Sequence, residues 1–231
     1  MIKVSAFLPK RADLTDEQFH AHWRHPHGDL AVRTQRIRRY VQDHGVGPRP
    51  GLPGFPKSTY LGVATVWFVS LESFMGLHGD PDFAASHADE GSFLDVPRLG
   101  WLILDEQIPL PGPPRQVGDA EYAKAMVFLK RRADVDETAF AEAVASHTNV
   151  ALSLPGLARF NWALPNPRFY RERAIAPLFD ASLEYCFDDL AALDAAFTDA
   201  PALRDDLARF ADLGAGESFR AIEERWFWPD R

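Results

Sequence analysis

The sequence is poor in cysteine, with Cys186 as the one cysteine among its 231 residues. An intrachain disulfide therefore cannot form, which is typical of a protein that folds in a reducing compartment. Long apolar runs are also missing, and no basic segment followed by an apolar one opens the sequence. We therefore expect no membrane span and no signal peptide, and we expect a cytoplasmic location.

Positive charge is also scarce. The chain carries 25 lysine and arginine residues against 33 aspartate and glutamate residues, which gives a net charge of −8. Sequence-independent binding of nucleic acid needs a dense basic surface, so we expect no nucleic-acid partner. The sequence also lacks a glycine-rich phosphate loop, a nucleophile elbow and a dinucleotide fingerprint. The composition, with 46 % hydrophobic residues, is that of a globular protein.

The most informative stretch begins with a capped helix. Thr15 and Gln18 have the spacing of a capping box, in which each side chain satisfies a backbone donor at the helix start. Phe19 and Trp23 follow one turn apart and form an apolar stripe. Pro26 has no N–H to donate and clashes with the preceding turn, so it ends or kinks the helix.

A histidine and a strand follow this helix break. His27 and Gly28 lie directly after the proline, where a polar side chain can face a cavity. We expect a strand over Arg38 to His44 because its residues alternate in character. The alternation places two sets of side chains on opposite faces: Tyr40, Gln42 and His44 against Arg39, Val41 and Asp43.

The combination of capped helix, Trp-x-x-x-His-Gly turn and Arg-Tyr-Val-Gln-x-His strand resembles the EthD family of dimeric α/β barrels. The matching residues are Phe19, Trp23, His27, Gly28, Arg39, Tyr40, Gln42 and His44. Val66-Trp67-Phe68 and Phe93-Leu94-Asp95 are similar to the family's third strand and its late Phe-x-Asp signature. The resemblance covers roughly residues 1 to 108.

The second part of the chain repeats the first. Residues 109 to 118 form a proline-rich linker, and a matching pattern resumes after it. Three residues recur 121 positions later: Lys3, Phe7 and Phe19 become Lys124, Phe128 and Phe140. Two pairs recur at slightly smaller offsets: Arg39-Tyr40 becomes Arg159-Phe160, and Phe93-x-Asp95 becomes Phe210-x-Asp212. Identical residues in the same order indicate a duplication.

We therefore predict an α+β fold built from two ferredoxin-like βαββαβ repeats, residues 1–108 and a degenerate copy at 119–231. The repeats are expected to pair as a pseudo-dimer and to close into a dimeric α/β barrel. Residues 45 to 56 are rich in glycine and proline, so we expect an irregular loop there. The segment Trp226 to Trp228 is expected to end the last strand.

Differences between the repeats point to one working pocket. The face with Tyr40, Gln42 and His44 becomes Phe160, Trp162 and Leu164 in the second repeat. Polar side chains on an inward face are costly without partners, so we expect a pocket in the first repeat, partly walled by the second. The predicted catalytic residues are His27, His44 and Tyr40, and the predicted substrate-binding residues are Gln42, Trp23, Trp67, Phe160 and Trp162. The competing interpretation is a structural role, with His27 bonded to a carbonyl and His44 ending a strand.

Four histidines close together also suggest a metal site. On a straight helix, however, only His22 with His25 and His20 with His27 share a side, and no cysteine or carboxylate completes a ligand set. We therefore predict no metal. The nearby carboxylates Asp89, Glu90 and Asp95 are interpreted as loop and cap residues.

The family resemblance implies small-molecule chemistry. Related barrel families include cyclases, isomerases, cofactor-free monooxygenases and haem enzymes. We predict an enzyme that needs no cofactor and moves a proton on an aromatic or polyketide-like ring, giving isomerisation, cyclisation, dehydration or decarboxylation. A cofactor-free monooxygenase is a second type of enzyme. A haem protein with His27 or His147 as ligand is a third hypothesis, and a non-catalytic module that binds a hydrophobic ligand is a fourth. The chain itself is a candidate for homodimer formation.

Overall fold

Eight antiparallel strands close into one barrel in the computed structural model, which describes residues 1–47, 56, 58–113, 115–198 and 200–227. The strands are β1 Ile2–Leu8, β2 Ile37–Gly45, β3 Gly62–Phe68, β4 Gly100–Leu110, β5 Tyr122–Arg131, β6 Leu157–Pro165, β7 Ala181–Phe187 and β8 Ala211–Phe227. The helices are α1 Asp16–His22, α2 Asp29–Ala31, α3 Leu71–Met75, α4 Pro81–Asp89, α5 Glu137–Ala151, α6 Pro167–Arg173, α7 Leu190–Thr198 and α8 Pro201–Ala208. None of the helices in these ranges has the length and apolar character needed to cross a membrane.

The strands run around the barrel in the order β1-β3-β2-β8-β5-β7-β6-β4. Each half of the chain therefore contributes four adjacent strands in the same relative order, and the halves meet where β2 pairs with β8 and β4 pairs with β6. This arrangement confirms the predicted mixed α/β fold with a barrel. The predicted linker starts too early, because β4 continues to Leu110, which pairs with Phe160. Most of the predicted loop at 45 to 56, and Trp228, lie outside the described residues.

Local contacts also match between the halves. In each half, an arginine donates one hydrogen bond to the aspartate two residues later. The same arginine donates another to a backbone carbonyl, just after α4 in the first half and at the end of α8 in the second. The partners are Arg11 with Asp13 and Gly91 in the first half, and Arg132 with Asp134 and Ala208 in the second. Each half also caps its first helix with a side chain, Thr15 or Asp136.

Charged side chains from seven strands fill the interior of the barrel. The buried set has four cations and four carboxylates: Lys3, Lys124, Arg159, Arg225, Asp43, Glu106, Glu184 and Glu223. Charges are tolerated in such a place only when they are paired. The balanced signs of this set supply the pairing, and the interior is a packed ionic core rather than an open channel.

Lys124 is the centre of this ionic core. Its Nζ lies 2.8 Å from Asp43 Oδ1, 2.8 Å from Glu223 Oε2 and 3.3 Å from Glu184 Oε2. Burial lowers the pKa of Lys124, but the attraction of the three carboxylates outweighs burial and raises that pKa well above its usual value. Burial also raises the pKa of Asp43 to about 6, against the opposing effect of Lys124. Lys3 joins the same network through Glu184 and through Glu106 at 2.7 Å.

Removing the central cation is expected to destabilise the fold strongly. Lys124→Met leaves three carboxylates buried without their shared partner, which is expected to cost about 3–5 kcal/mol of the free energy of unfolding. Lys130→Met on the same strand is the matched control, because Lys130 is one-third exposed and makes one hydrogen bond to the Pro177 carbonyl at 3.1 Å and a 3.9 Å pair with Asp180. Its cost is expected to stay within about 1 kcal/mol. Urea unfolding measures both, and equal effects would contradict the ionic core.

Candidate functional site

The first helix begins as the sequence predicts. Thr15 Oγ1 accepts a hydrogen bond from the Gln18 N–H at 3.2 Å, and Gln18 Oε1 accepts one from the Thr15 N–H at 2.8 Å. Phe19 and Trp23 then turn inward, and both side chains are fully buried. The rings of Phe19 and Phe93 lie 5.7 Å apart. This packing fixes α1 against the outer face of the sheet.

The helix then breaks at the residue before the proline. His25 is extended, with φ −139° and ψ 123°, because a following proline disfavours the helical region. Residues Trp23–Gly28 form a wider turn as a result. This turn brings His22 and His27 to one carboxylate, so the prediction from a straight helix that these two histidines lie on different sides is wrong.

Asp89, at the end of α4, receives both histidines. His22 Nε2 lies 3.0 Å from Asp89 Oδ1, and His27 Nδ1 lies 3.0 Å from Asp89 Oδ2. Because Nδ1 of His27 is bonded to the carboxylate, Nε2 is the ring nitrogen that remains for a ligand. The interpretation of Asp89 as only a loop or cap residue is therefore corrected: it orients His27.

His27 lies on the wall of a small cavity between the helices and the sheet. The cavity holds about 70 Å³, and the residues that line it are mostly apolar. Its polar side chains are His27, Tyr40, Ser86 and Glu90, and Trp23 forms part of the same wall. The cavity therefore combines a small polar region with apolar surroundings.

An apolar groove of about 590 Å³ adjoins this cavity on the outside. Six residues line both spaces: Phe74, Leu77, Phe83, Glu90, Leu99 and Trp101. The second half of the chain supplies the far side of the groove with Phe169, Tyr170, Arg173, Ile175, Ala176 and Leu178. A ligand with a body in the groove can place one edge beside His27.

Tyr40, Gln42 and His44 share one face of β2, and that face is turned toward the helices. Gln42 Nε2 donates to the Trp23 carbonyl at 2.9 Å and to the Tyr40 oxygen at 2.8 Å. His44 Nε2 lies 2.8 Å from Gln42 Oε1. Tyr40 lines the cavity, whereas Gln42 and His44 lie behind it.

The predicted site residues therefore separate into two groups. His27, Tyr40 and Trp23 line one cavity, and Gln42 and His44 support it. Trp67 faces the interior of the barrel and donates from Nε1 to Glu106 at 2.9 Å, because it lies on the opposite face of its strand. Phe160 and Trp162 pack among the buried apolar residues of the second half. These three rings do not line the cavity, and the expectation that they do is corrected.

Two opposing effects set the pKa of His27. Burial lowers it because the charged imidazolium loses water, and the hydrogen bond and charge of Asp89 raise it. Burial is the larger effect, so the pKa lies below its ordinary value and the neutral form is favoured. A neutral imidazole has a lone pair and can accept a proton.

The second half keeps a related histidine whose ring is enclosed by protein partners. His147 Nδ1 lies 2.7 Å from Asp206 Oδ2, which parallels the bond between His27 and Asp89. Its Nε2, however, lies 2.7 Å from the hydroxyl oxygen of Tyr185. Both ring nitrogens of His147 therefore have protein partners, and the residue is fully buried. Within the described ranges, no group of three or more histidine, cysteine or acidic residues is arranged to hold a metal ion.

Eight antiparallel strands closed into a barrel, with helices packed on the outer face, define a mixed α/β barrel fold. Residues 11–97 match the EthD domain family, which confirms the resemblance found in the sequence. The matched segment contains the helix break at His25, the carboxylate of Asp89, and the β2 residues Tyr40, Gln42 and His44. A search of curated protein sequences finds no match for this chain.

Several solved structures have a similar fold. A proposed monooxygenase from Fusobacterium nucleatum is 12 % identical, with a TM-score of 0.61 over 100 % of this chain and 96 % of its own. An anthrone oxidase-like protein is 9 % identical, with a TM-score of 0.67 over 97 % and 92 %. A mutant chlorite dismutase from Candidatus Nitrospira defluvii is 11 % identical, with a TM-score of 0.51 over 97 % and 92 %. At these identities the likeness concerns the fold alone.

Removing the charge of Asp89 is expected to lower the pKa of His27 further. Asp89→Asn keeps the side-chain shape but loses the charge that favours imidazolium. Asp206→Asn is the matched control, because it acts on His147 in the other half and should leave His27 unchanged. Imidazole NMR titration measures both histidines. A His27 pKa that rises in Asp89→Asn would contradict the assigned balance of effects.

Proposed function

We propose that the chain is an enzyme that removes a proton from a ring-shaped, mostly apolar substrate next to a carbonyl or phenol oxygen. The observation that carries this proposal is the imidazole of His27, held by Asp89 on the wall of the cavity. A histidine oriented by a carboxylate through one nitrogen can act as a base with the other. A transfer of this kind needs no cofactor.

The shape of the site supports this substrate class. The small cavity admits only an edge or substituent, whereas the adjoining groove of about 590 Å³ has the size of ordinary small-molecule sites. Phe74, Phe83, Trp101 and Phe169 give the groove flat apolar surface. Such surface favours aromatic ligands.

A cofactor-free oxygenation is the second candidate reaction. The similarity to a proposed monooxygenase and to an anthrone oxidase-like protein favours it. In this reaction His27 takes a proton from carbon, and the resulting carbanion gives electrons to dioxygen as a carbon–oxygen bond forms. Isomerisation and oxygenation would share the first step and differ in what captures the carbanion.

Haem fits the site less well. His27 offers an imidazole oriented by a carboxylate, which is a suitable axial ligand. The space beside it is only about 70 Å³, however, so a porphyrin could not approach without a displacement of the surrounding helices.

A purely binding role would give stabilisation by ligands without any product.

We also infer that the two halves arose by duplication of a ferredoxin-like unit, and that they pair within the chain as a pseudo-dimer. The repeated strand order, the matching arginine contacts and the two histidine–aspartate pairs support this inference. In the first half the pair lies on the wall of a cavity. The second half has Tyr185 and Phe160 in contact around His147.

Proton removal can be tested without knowledge of the natural substrate. Anthrone has an acidic carbon–hydrogen bond next to its rings, and exchange with deuterium under argon reports its removal. We expect His27→Gln to slow the enzyme-dependent exchange by about 10²- to 10⁴-fold. His25→Gln is the matched control, because His25 is two-thirds exposed and lies outside the cavity.

The same samples separate the two reactions. Oxygen uptake in air, lost in His27→Gln, would favour oxygenation, and exchange without oxygen uptake would favour isomerisation. Normal exchange by His27→Gln would reject His27 as the base. A Soret band after titration with haem, lost in His27→Gln, would support the haem hypothesis.

A further inference from the structure

The Tyr40 hydroxyl has an unusual set of neighbours. Its oxygen accepts a hydrogen bond from Gln42 Nε2 at 2.8 Å. Among the described residues, the hydroxyl makes no hydrogen bond as a donor, although the side chain is only 2 % exposed. Buried donors nearly always have acceptors, so an unused donor on a cavity wall needs an explanation.

The backbone decides which way the Gln42 amide faces. The Trp23 carbonyl can only accept, so the group 2.9 Å from it must be the amide nitrogen and not the amide oxygen. The same nitrogen meets the Tyr40 oxygen, and its second hydrogen occupies a lone pair there. The Tyr40 hydroxyl therefore does not donate its proton to Gln42.

His44 and His20 extend this series of hydrogen bonds from Gln42 toward the surface. Gln42 Oε1 can only accept, so His44 Nε2 carries a hydrogen and donates to it. Burial lowers the pKa of His44, which leaves its Nδ1 without a hydrogen. His20 Nδ1, 2.9 Å away, must then be the donor of that bond. Every hydrogen bond from half-buried His20 to Tyr40 thus points in one direction.

A second donor lies beside the first. Trp23 is fully buried and lines the same cavity as Tyr40. Its indole N–H has no partner of good hydrogen-bond geometry, but it interacts with the Tyr40 oxygen, and this interaction acts on the pKa of Tyr40. Burial raises the pKa of Tyr40, against the opposing effects of Gln42 and Trp23, so the phenol keeps its proton at neutral pH. Gln42 and Trp23 both act on the Tyr40 oxygen, so the Tyr40 O–H is the donor on this wall that has no acceptor among the described residues.

We propose that His20, His44 and Gln42 are positioning residues that fix the Tyr40 hydroxyl as a donor into the cavity, where it binds an acceptor oxygen of the ligand. A ketone, an enolate or a phenolate has such an oxygen. This inference rests on the proposed function, since it names the group that would stabilise charge on oxygen when His27 removes a proton. It adds His20 to the working residues, as a positioning residue and not as a base.

The test compares two ligands of the same shape. α-Tetralone has a ketone oxygen, and tetralin lacks it. Calorimetric titration of the full chain is expected to show tighter binding of α-tetralone, and Tyr40→Phe is expected to reduce that preference about tenfold with the affinity for tetralin unchanged. A wild-type chain that binds neither ligand, or binds both equally, overturns the proposal.

A second variant tests the direction of the hydrogen bonds. In Gln42→Glu, an oxygen replaces Nε2, and whether the carboxyl is charged or neutral this oxygen can accept the Tyr40 proton. The preference for α-tetralone should fall as in Tyr40→Phe although the tyrosine is present. Unchanged tetralin affinity shows that the fold is kept, and an unchanged preference in either variant overturns the proposal.

His27→Gln separates this inference from the proposed function. It should keep the preference for α-tetralone, because His27 takes no part in the Tyr40 chain, while it loses deuterium exchange. If exchange persists but the ligand preference follows Tyr40 and Gln42 as described, the base assignment fails and the oxygen site stands. If the preference is lost in His27→Gln alone, the oxygen site fails.

Discussion

The attraction of Lys124 for three carboxylates inside the barrel determines how the inner faces of the two sheets meet. Two sheets that close on each other could enclose a ligand, but here their inner faces meet through ion pairs. Because each of these charges is paired with another, a ligand that entered would leave buried charges without partners, at a cost of several kcal/mol. The free space of the first half lies instead outside the barrel, between the sheet and its helices.

Within that layer, one backbone feature builds the site. The extended conformation of His25 turns the chain so that His27 meets Asp89, and the same turn leaves the Trp23 carbonyl to orient Gln42. The second half has an unbroken helix α5 over the equivalent segment. There His147 still meets Asp206, but Tyr185 takes its other nitrogen. Two features therefore distinguish the equivalent regions of the two halves. The first half has the helix break at His25, and the second half has the Tyr185 hydroxyl bonded to His147.

Much of this could be predicted from the sequence. The cap at Thr15, the alternation of Tyr40, Gln42 and His44, and the barrel all follow from local chemistry and the family resemblance. The sequence could not predict which face of β2 is turned toward the helices. Both faces of this strand are buried, and alternation alone does not distinguish them. For the same reason the sequence could not show that Trp67 faces the barrel interior, where it donates to Glu106.

Asp89 shows a different limit. It lies 62 positions from His27, and no periodic signal links the two. The repeat did contain a hint, since Asp89 and Asp206 are separated by the same 117 positions as Phe93 and Phe210. The ionic core gave no such signal, because single charged residues in otherwise apolar strands reveal a common interior only after the register of the strands is known.

The central claim is that the working site lies in the helix–sheet layer of the first half. A crystal of the full chain soaked with a brominated α-tetralone tests it most directly, because anomalous scattering locates the bromine independently of the protein map. We expect the bromine in the groove between Trp101 and Phe169, with the ketone oxygen at Tyr40. Bromine inside the barrel beside Lys124, or next to His147 in the second half, would contradict it.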